Sequence, residues 1–259
     1  MSTVAEGLAA LDLQHSRRIP LSRLIRVELR KMADTRAGMW LLIGICVLTA
    51  AVMTIFLVNA DEADRTFMKF MGAAATPQSA LLPVLGILLI TSEWTQRTAL
   101  VTFTLEPVRS RVLAAKLFAA LLFGLAAVIV ALIIATGATA VGGHEVAWND
   151  VGALEIGKFG LLQASSILQG LAFGMVILNS SGAIATFFIL PTAMLIATSA
   201  WSVLADAGPW IVMGTATQPL TEVGALSSTD WAHLGVASCI WIVVPLAAGL
   251  FRVLHKEVK

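Results

Sequence analysis

Charged side chains are spread so unevenly along this sequence that long stretches hold none. Ala37–Ala60 runs 24 residues without a charge, Phe70–Ser92 runs 23, Leu117–Gly143 runs 27, Phe159–Ala205 runs 47 and Leu234–Phe251 runs 18. A helix rises about 1.5 Å per residue, so about 20 apolar residues cross a hydrocarbon core of about 30 Å. Four of the tracts fit one such helix each. The longest fits two, broken where "NSSG" (Asn179–Gly182) gathers small and polar residues. The pattern predicts an all-α, polytopic membrane protein with six transmembrane helices, at about 37–60, 72–93, 114–140, 159–179, 182–204 and 233–253. The last is shortest and borrows Trp231 and His233 at its mouth.

Two other segments have patterns of their own. Residues 1–36 form a mostly polar tail that ends in "SRRIPLSRLIRVELRKMADTR", Ser16–Arg36. Pro20 suits a first helical turn. Leu21, Leu24, Ile25 and Met32 recur near helical period, while Arg23, Arg26, Arg30 and Lys31 lie mostly elsewhere. This predicts a basic amphipathic helix lying in the membrane interface. Within 205–232, "GPWIVMGTATQPL" (Gly208–Leu220) is apolar but too short to cross, which predicts a re-entrant or interfacial segment. A seventh span would also carry the C-terminus to the wrong side.

Composition agrees. The chain is 58% hydrophobic and 13% charged, about half the charge of soluble domains. The tail holds seven Arg or Lys, the loop after the second span four (Arg97, Arg109, Arg111, Lys116) and the C-terminus three, so 14 of 17 basic residues share one side. The other side holds Arg65, Lys69 and Lys158 against nine acids. The positive-inside rule then predicts both termini cytoplasmic. A tail this polar before a first run this long is not expected to be a cleavable signal peptide. Trp40 and Trp94 fall near cytoplasmic span ends, and Trp148, Trp201, Trp210 and Trp231 near outer ends, as an aromatic belt would. Cys46 and Cys239 fall inside spans and read as buried thiols.

No ionisable residue is expected deep in a span, so a proton-coupled carrier would lack its relay. His15, His144, His233 and His255 all lie outside the spans or at their ends, which disfavours a haem or metal site. No G-x-x-x-x-G-K-[ST] sequence occurs, so no nucleotide site and no catalytic residues are expected. Energy for uphill movement would come from a partner. Gln163, Ser166, Gln169 and Gly170 share one face of the fourth span. They read either as a polar strip lining a substrate path or as interhelical hydrogen bonding. Gly170 and Gly174 make a small-xxx-small pair, and Pro83, Pro191 and Pro245 fall within spans.

The segment after the second span, "SEWTQRTALVTFTLEPVRSR", is the most distinctive. Glu93 lies at the membrane boundary, followed by Arg97-Thr98, then Pro107, Arg109, Arg111 and Lys116. The order E-x-x-x-[GR]-T, a hydrophobic stretch, P-x-x-x-R and a Lys five residues later resembles the type-two ABC transporter permease family. Glu28 and Lys31, in "VELRKMADTR", resemble the E-x-x-K segment that opens such permeases. The likeness extends over nearly the whole chain. It implies a six-span permease subunit of an antibiotic, drug, peptide or lipid exporter in a bacterial inner or plasma membrane. Residues 94–111 would be a coupling segment for a separate ATPase, with Glu93, Arg97, Thr98, Pro107, Arg109, Arg111 and Lys116 as coupling residues. Phe103, Leu105 and Val108 would fill an apolar groove on that partner. The implied assembly has two ATPase copies carrying ATP and Mg, a second permease subunit and the lipid bilayer, with no nucleic acid. Two other readings stay open: an energy-independent carrier or channel, and a non-transport membrane anchor.

Overall fold

The computed structural model describes residues 19–144 and 146–255. The tail to Arg18, with His15 and Arg17, lies outside the described residues, as do Glu145, Lys256 and Lys259. The described residues are all-helical, and six helices are long and apolar enough to span a membrane. An amphipathic helix α1 (Leu21–Asp34) leads into α2 (Arg36–Asn59), and α3 (Phe67–Thr95) returns. A short α4 (Ala99–Leu105) joins α3 to α5 (Arg109–Gly142). Then come α6 (Ala153–Ile177) and α7 (Ser180–Ala200). Three short helices follow, α8 (Ser202–Ala205), α9 (Gly208–Ile211) and α10 (Met213–Thr217). Last, α11 (Ser228–Ser238) and α12 (Val244–His255) form one rod through five π-helical residues, Cys239–Val243.

Local chemistry sets the boundaries. Thr35 separates α1 from α2, donating to the Met32 carbonyl and accepting from the Gly38 amide, both at 3.3 Å. Asn179 caps α7 by accepting from the Gly182 amide at 2.8 Å, so the long apolar tract breaks at Leu178–Asn179. Ser227 and Asp230 form a reciprocal capping box at the start of α11. The span helices overrun the charge-free tracts because charges at their ends are paired or reach outward. Lys69, Glu93, Lys116, Glu155 and Lys158 all lie inside helices.

The core is the pair α3 and α6. A Cβ on Gly170 would lie 2.1 Å from the Pro83 carbonyl oxygen, and one on Gly86 2.4 Å from that of Ile167. The two backbones therefore touch, as the small-residue spacing at Gly170 and Gly174 allows. Pro77 and Pro83 sit within α3 without ending it. Pro245 explains the π turn: it has no N–H to offer the Trp241 carbonyl, and the Val244 amide bonds instead to Cys239. The shift accompanies a turn of Trp241 that lets its indole donate to the Ile211 carbonyl at 2.7 Å and stack on Phe173. Cys46 and Cys239 correct an expectation, being exposed rather than buried. Both sit on helices with little of their span buried, α2 and the last rod.

The α3–α6 seam is testable. Gly170→Ala is expected to destabilise the detergent-solubilised chain by about 1–3 kcal/mol through overpacking, read as a fall in unfolding temperature. Gly44→Ala, whose Cβ would meet nothing within 4 Å, is the control and leaves the temperature unchanged or slightly raised.

Candidate functional site

Glu28 lies on the apolar stripe of α1, one turn from Leu24 and one turn from Met32, and is 4% exposed. That stripe packs against the start of α5 and against α2, carrying the carboxylate inward. There it meets Lys116 of α5, 3% exposed, and Glu93 of α3, 6% exposed. The Lys116 ammonium contacts Glu28 Oε2 at 2.6 Å and Glu93 Oε2 at 3.3 Å, and donates to the Leu89 carbonyl at 2.9 Å. Its three protons are thus matched by three acceptors. Lys31 closes the ring, 2.8 Å from Glu28 Oε1 and 2.6 Å from Glu93 Oε1. Two cations and two anions from three helices alternate. A fourth element joins through Thr102 of α4, which donates to Glu93 Oε1 at 3.0 Å.

Burial pulls the Lys31 ammonium toward a lower pKa, but the Glu28 and Glu93 carboxylates more than offset this and raise it above the ordinary 10.5. The sign follows from linkage: its stabilising contribution is fully present below about 10.5 and is lost as pH climbs through the raised value.

The other sequence-predicted residues surround this tetrad. At the end of α3 the Thr98 amide bonds to the Glu93 carbonyl at 2.9 Å and the Arg97 amide to that of Trp94 at 3.3 Å, with Arg97 in the left-handed region at φ 58°. This is a Schellman cap, whose left-handed position favours glycine. Arg97 is exposed. Glu106, extended because Pro107 follows, accepts from Arg111 at 3.0 Å. Arg111 also donates to the Ile19 carbonyl. Arg109 donates to the Val253 and Leu254 carbonyls at 2.9 and 3.2 Å, capping the last helix. Its guanidinium lies 5.0 Å from the centre of the Phe103 ring.

Phe103 is therefore turned inward, and the exposed apolar face of α4 and its exit is Leu100, Val101, Leu105 and Val108. A cavity of about 490 Å³ lies between α1 and α4, lined by Val27, Val101, Leu105 and Val112 with the tetrad acids at its floor. Residues 19 and 253 both lie against this end through Arg111 and Arg109, so the two ends of the described chain share one end of the bundle.

The strip on α6 divides. Gln163 is fully buried, donating to Gln78 at 2.7 Å. Gln78 in turn donates to the Ala127 carbonyl at 3.0 Å, a knot joining α3, α5 and α6. Ser166 and Gln169 instead line a cavity of about 210 Å³. Sequence reasoning missed Thr102 and the convergence of Glu28 with Lys116. The legible signal was Glu28 itself, an acid within an apolar stripe. No family model matches the chain, and no curated protein is detectably similar to it.

Removing one charge from the tetrad exposes the others. Lys116→Met is expected to cost about 3–5 kcal/mol, and the double change with Glu28→Met to recover much of it by restoring neutrality; unfolding in detergent measures the non-additivity. Arg97→Gly is expected to be neutral or to stabilise by about 1 kcal/mol, because it relieves the left-handed position; the same assay reads it as a rise in unfolding temperature.

Proposed function

We propose that the chain is the membrane-spanning permease subunit of an ATP-driven exporter of the type-two ABC class, powered by a separate ATPase. The observation that carries this reading is the bond from Thr102 on α4 to Glu93, inside a charge ring that also holds α1, α3 and α5. A push on α4 then reaches two span helices without a flexible intermediate. Leu100, Val101 and Leu105 are 52%, 58% and 72% exposed, an apolar face suited to a groove on the ATPase. Arg97 and Pro107 rim that face, Arg109 and Arg111 brace its base, and Glu93 and Lys116 transmit.

On this reading ATP and Mg belong to the partner, which binds as two copies, and this chain holds no catalytic group. A second permease subunit would cover α7, where Phe188, Ile189, Leu190 and Ile196 are exposed. The basic end faces the cytoplasm of a bacterial inner membrane, with both termini inside and α1 in the interface. Residues 205–232 form the outer segment, re-entrant between the last two spans. Cargo moves outward.

Gentle detergent extraction from the native membrane is expected to bring down a protein with a P-loop. Val101→Asp with Leu105→Asp is expected to abolish that association without lowering the unfolding temperature, because both side chains are exposed. Absence of any ATPase from the native preparation would overturn the reading in favour of a carrier or an anchor.

A further inference from the structure

At the end away from the tetrad a cavity of about 860 Å³ opens between α3, α6 and the segment after α9. The 210 Å³ cavity continues it toward α7, sharing Ser79, Leu162, Gly214 and Thr217. Its walls carry hydroxyls, and six of them have their protons engaged. Ser79 donates to the Thr76 carbonyl at 3.0 Å, and Ser165 and Ser166 donate to that of Leu162 at 2.8 and 2.9 Å. Thr192 donates to Phe188 at 2.6 Å, Thr217 to Met213 at 2.9 Å and Thr221 to Gln218 at 2.8 Å. A hydroxyl has one proton and two lone pairs. These six therefore turn acceptors, and no donors, toward the space they line.

Gln169 adds a second observation. It lines the inner cavity, is 5% exposed, and its amide has no hydrogen-bond partner among the described residues. The amide reaches the cavity, and a ligand donor would pair with its carbonyl. The mouth carries charges of both signs. Asp150 and Glu222 line it with Lys69. The Lys69 ammonium lies 4.0 Å from Asp64, and the nearby Lys158 ammonium is bound to the Glu222 and Gly224 carbonyls. Leu162, Phe187, Phe188 and Met213 supply the apolar wall.

We propose that this joined cavity is a cargo site for a cationic amphiphile whose head carries N–H donors, such as a primary ammonium on an apolar body. As a statement about cargo it rests on the exporter reading; as a binding site it does not. The head sits among the hydroxyl oxygens and the Gln169 carbonyl, and the body lies against Phe187 and Phe188. Anionic amphiphiles are disfavoured, because they bring acceptors to the hydroxyl oxygens and a negative charge past Asp150 and Glu222.

The test uses the purified full chain in neutral-lipid nanodiscs, titrated calorimetrically with octylammonium, N,N,N-trimethyloctylammonium and octanoate, with empty nanodiscs subtracted. Octylammonium is expected to bind saturably and roughly tenfold tighter than its trimethyl analogue, the ratio expected from hydrogen bonds between a charged donor and neutral acceptors. Octanoate is expected not to saturate. Gln169→Leu, with an unchanged unfolding temperature, is expected to weaken octylammonium severalfold. Equal binding of the primary and quaternary amines, octanoate binding as well as either, or no saturable amine binding would overturn the proposal. These comparisons need no ATPase. A chain that brings down an ATPase but fails them loses the cargo class and keeps the pump, and one that passes them without an ATPase keeps the site and loses the pump.

Discussion

An ammonium two turns inside a membrane-spanning helix must find counter-charges, and most of the basic end of this protein follows from where Lys116 finds them. Glu93 comes from the neighbouring span. Glu28 comes from α1, a helix that basic composition alone would leave free at the headgroups. Once Glu28 is drawn in, Lys31 is placed to balance the second acid, and the ring is neutral. A buried ring of this kind contributes little net stability over an apolar replacement, because desolvation offsets the attraction. What it contributes is register. Helix α1 cannot slide or roll without separating buried charges.

The opposite end is held differently. There the chain between α7 and α11 is irregular, and its carbonyls are met by side chains from spans. Lys158 bonds to the Glu222 and Gly224 carbonyls, and Trp241 to that of Ile211. Between the two ends runs α3, whose last turn holds Glu93 and whose first half lines the cavity away from the tetrad at Gly72, Thr76 and Ser79. Backbone contact at Pro83 and Gly170 locks α3 to α6. The tetrad and the cavity are therefore joined through two helices in backbone contact.

The span helices were legible because a bilayer imposes one length and excludes charge, and each charge-free tract contains most of an observed span. Their ends were less so: Lys69, Lys116 and Lys158 stop a charge-free count but do not stop a helix. The motif residues were legible as a set, yet their geometry was not, since nothing in the order Glu93, Arg97, Thr98 tells that the first is buried and the second left-handed. Glu28 was legible as a neighbour of basic residues rather than as the partner of Lys116, 88 residues away. Pairing across that separation is a tertiary fact. The α6 strip shows the same limit, because identical spacing placed Gln163 in a knot and Gln169 at a cavity wall.

The cavity away from the tetrad combines two kinds of selectivity that act at different depths. Asp150 and Glu222 are exposed at the mouth, where salt screens charge over about 8–10 Å. Their effect on a cation is therefore to raise its local concentration and orient it, without holding it tightly. Deeper in, the hydroxyl oxygens and Gln169 face a space with an apolar wall, where a donor's hydrogen bonds count for more. Recognition is thus concentrated inside and release is easy at the rim. Such a gradient suits a site that must bind its ligand within the bundle and lose it to water, and it requires no change in the charge of any group along the way.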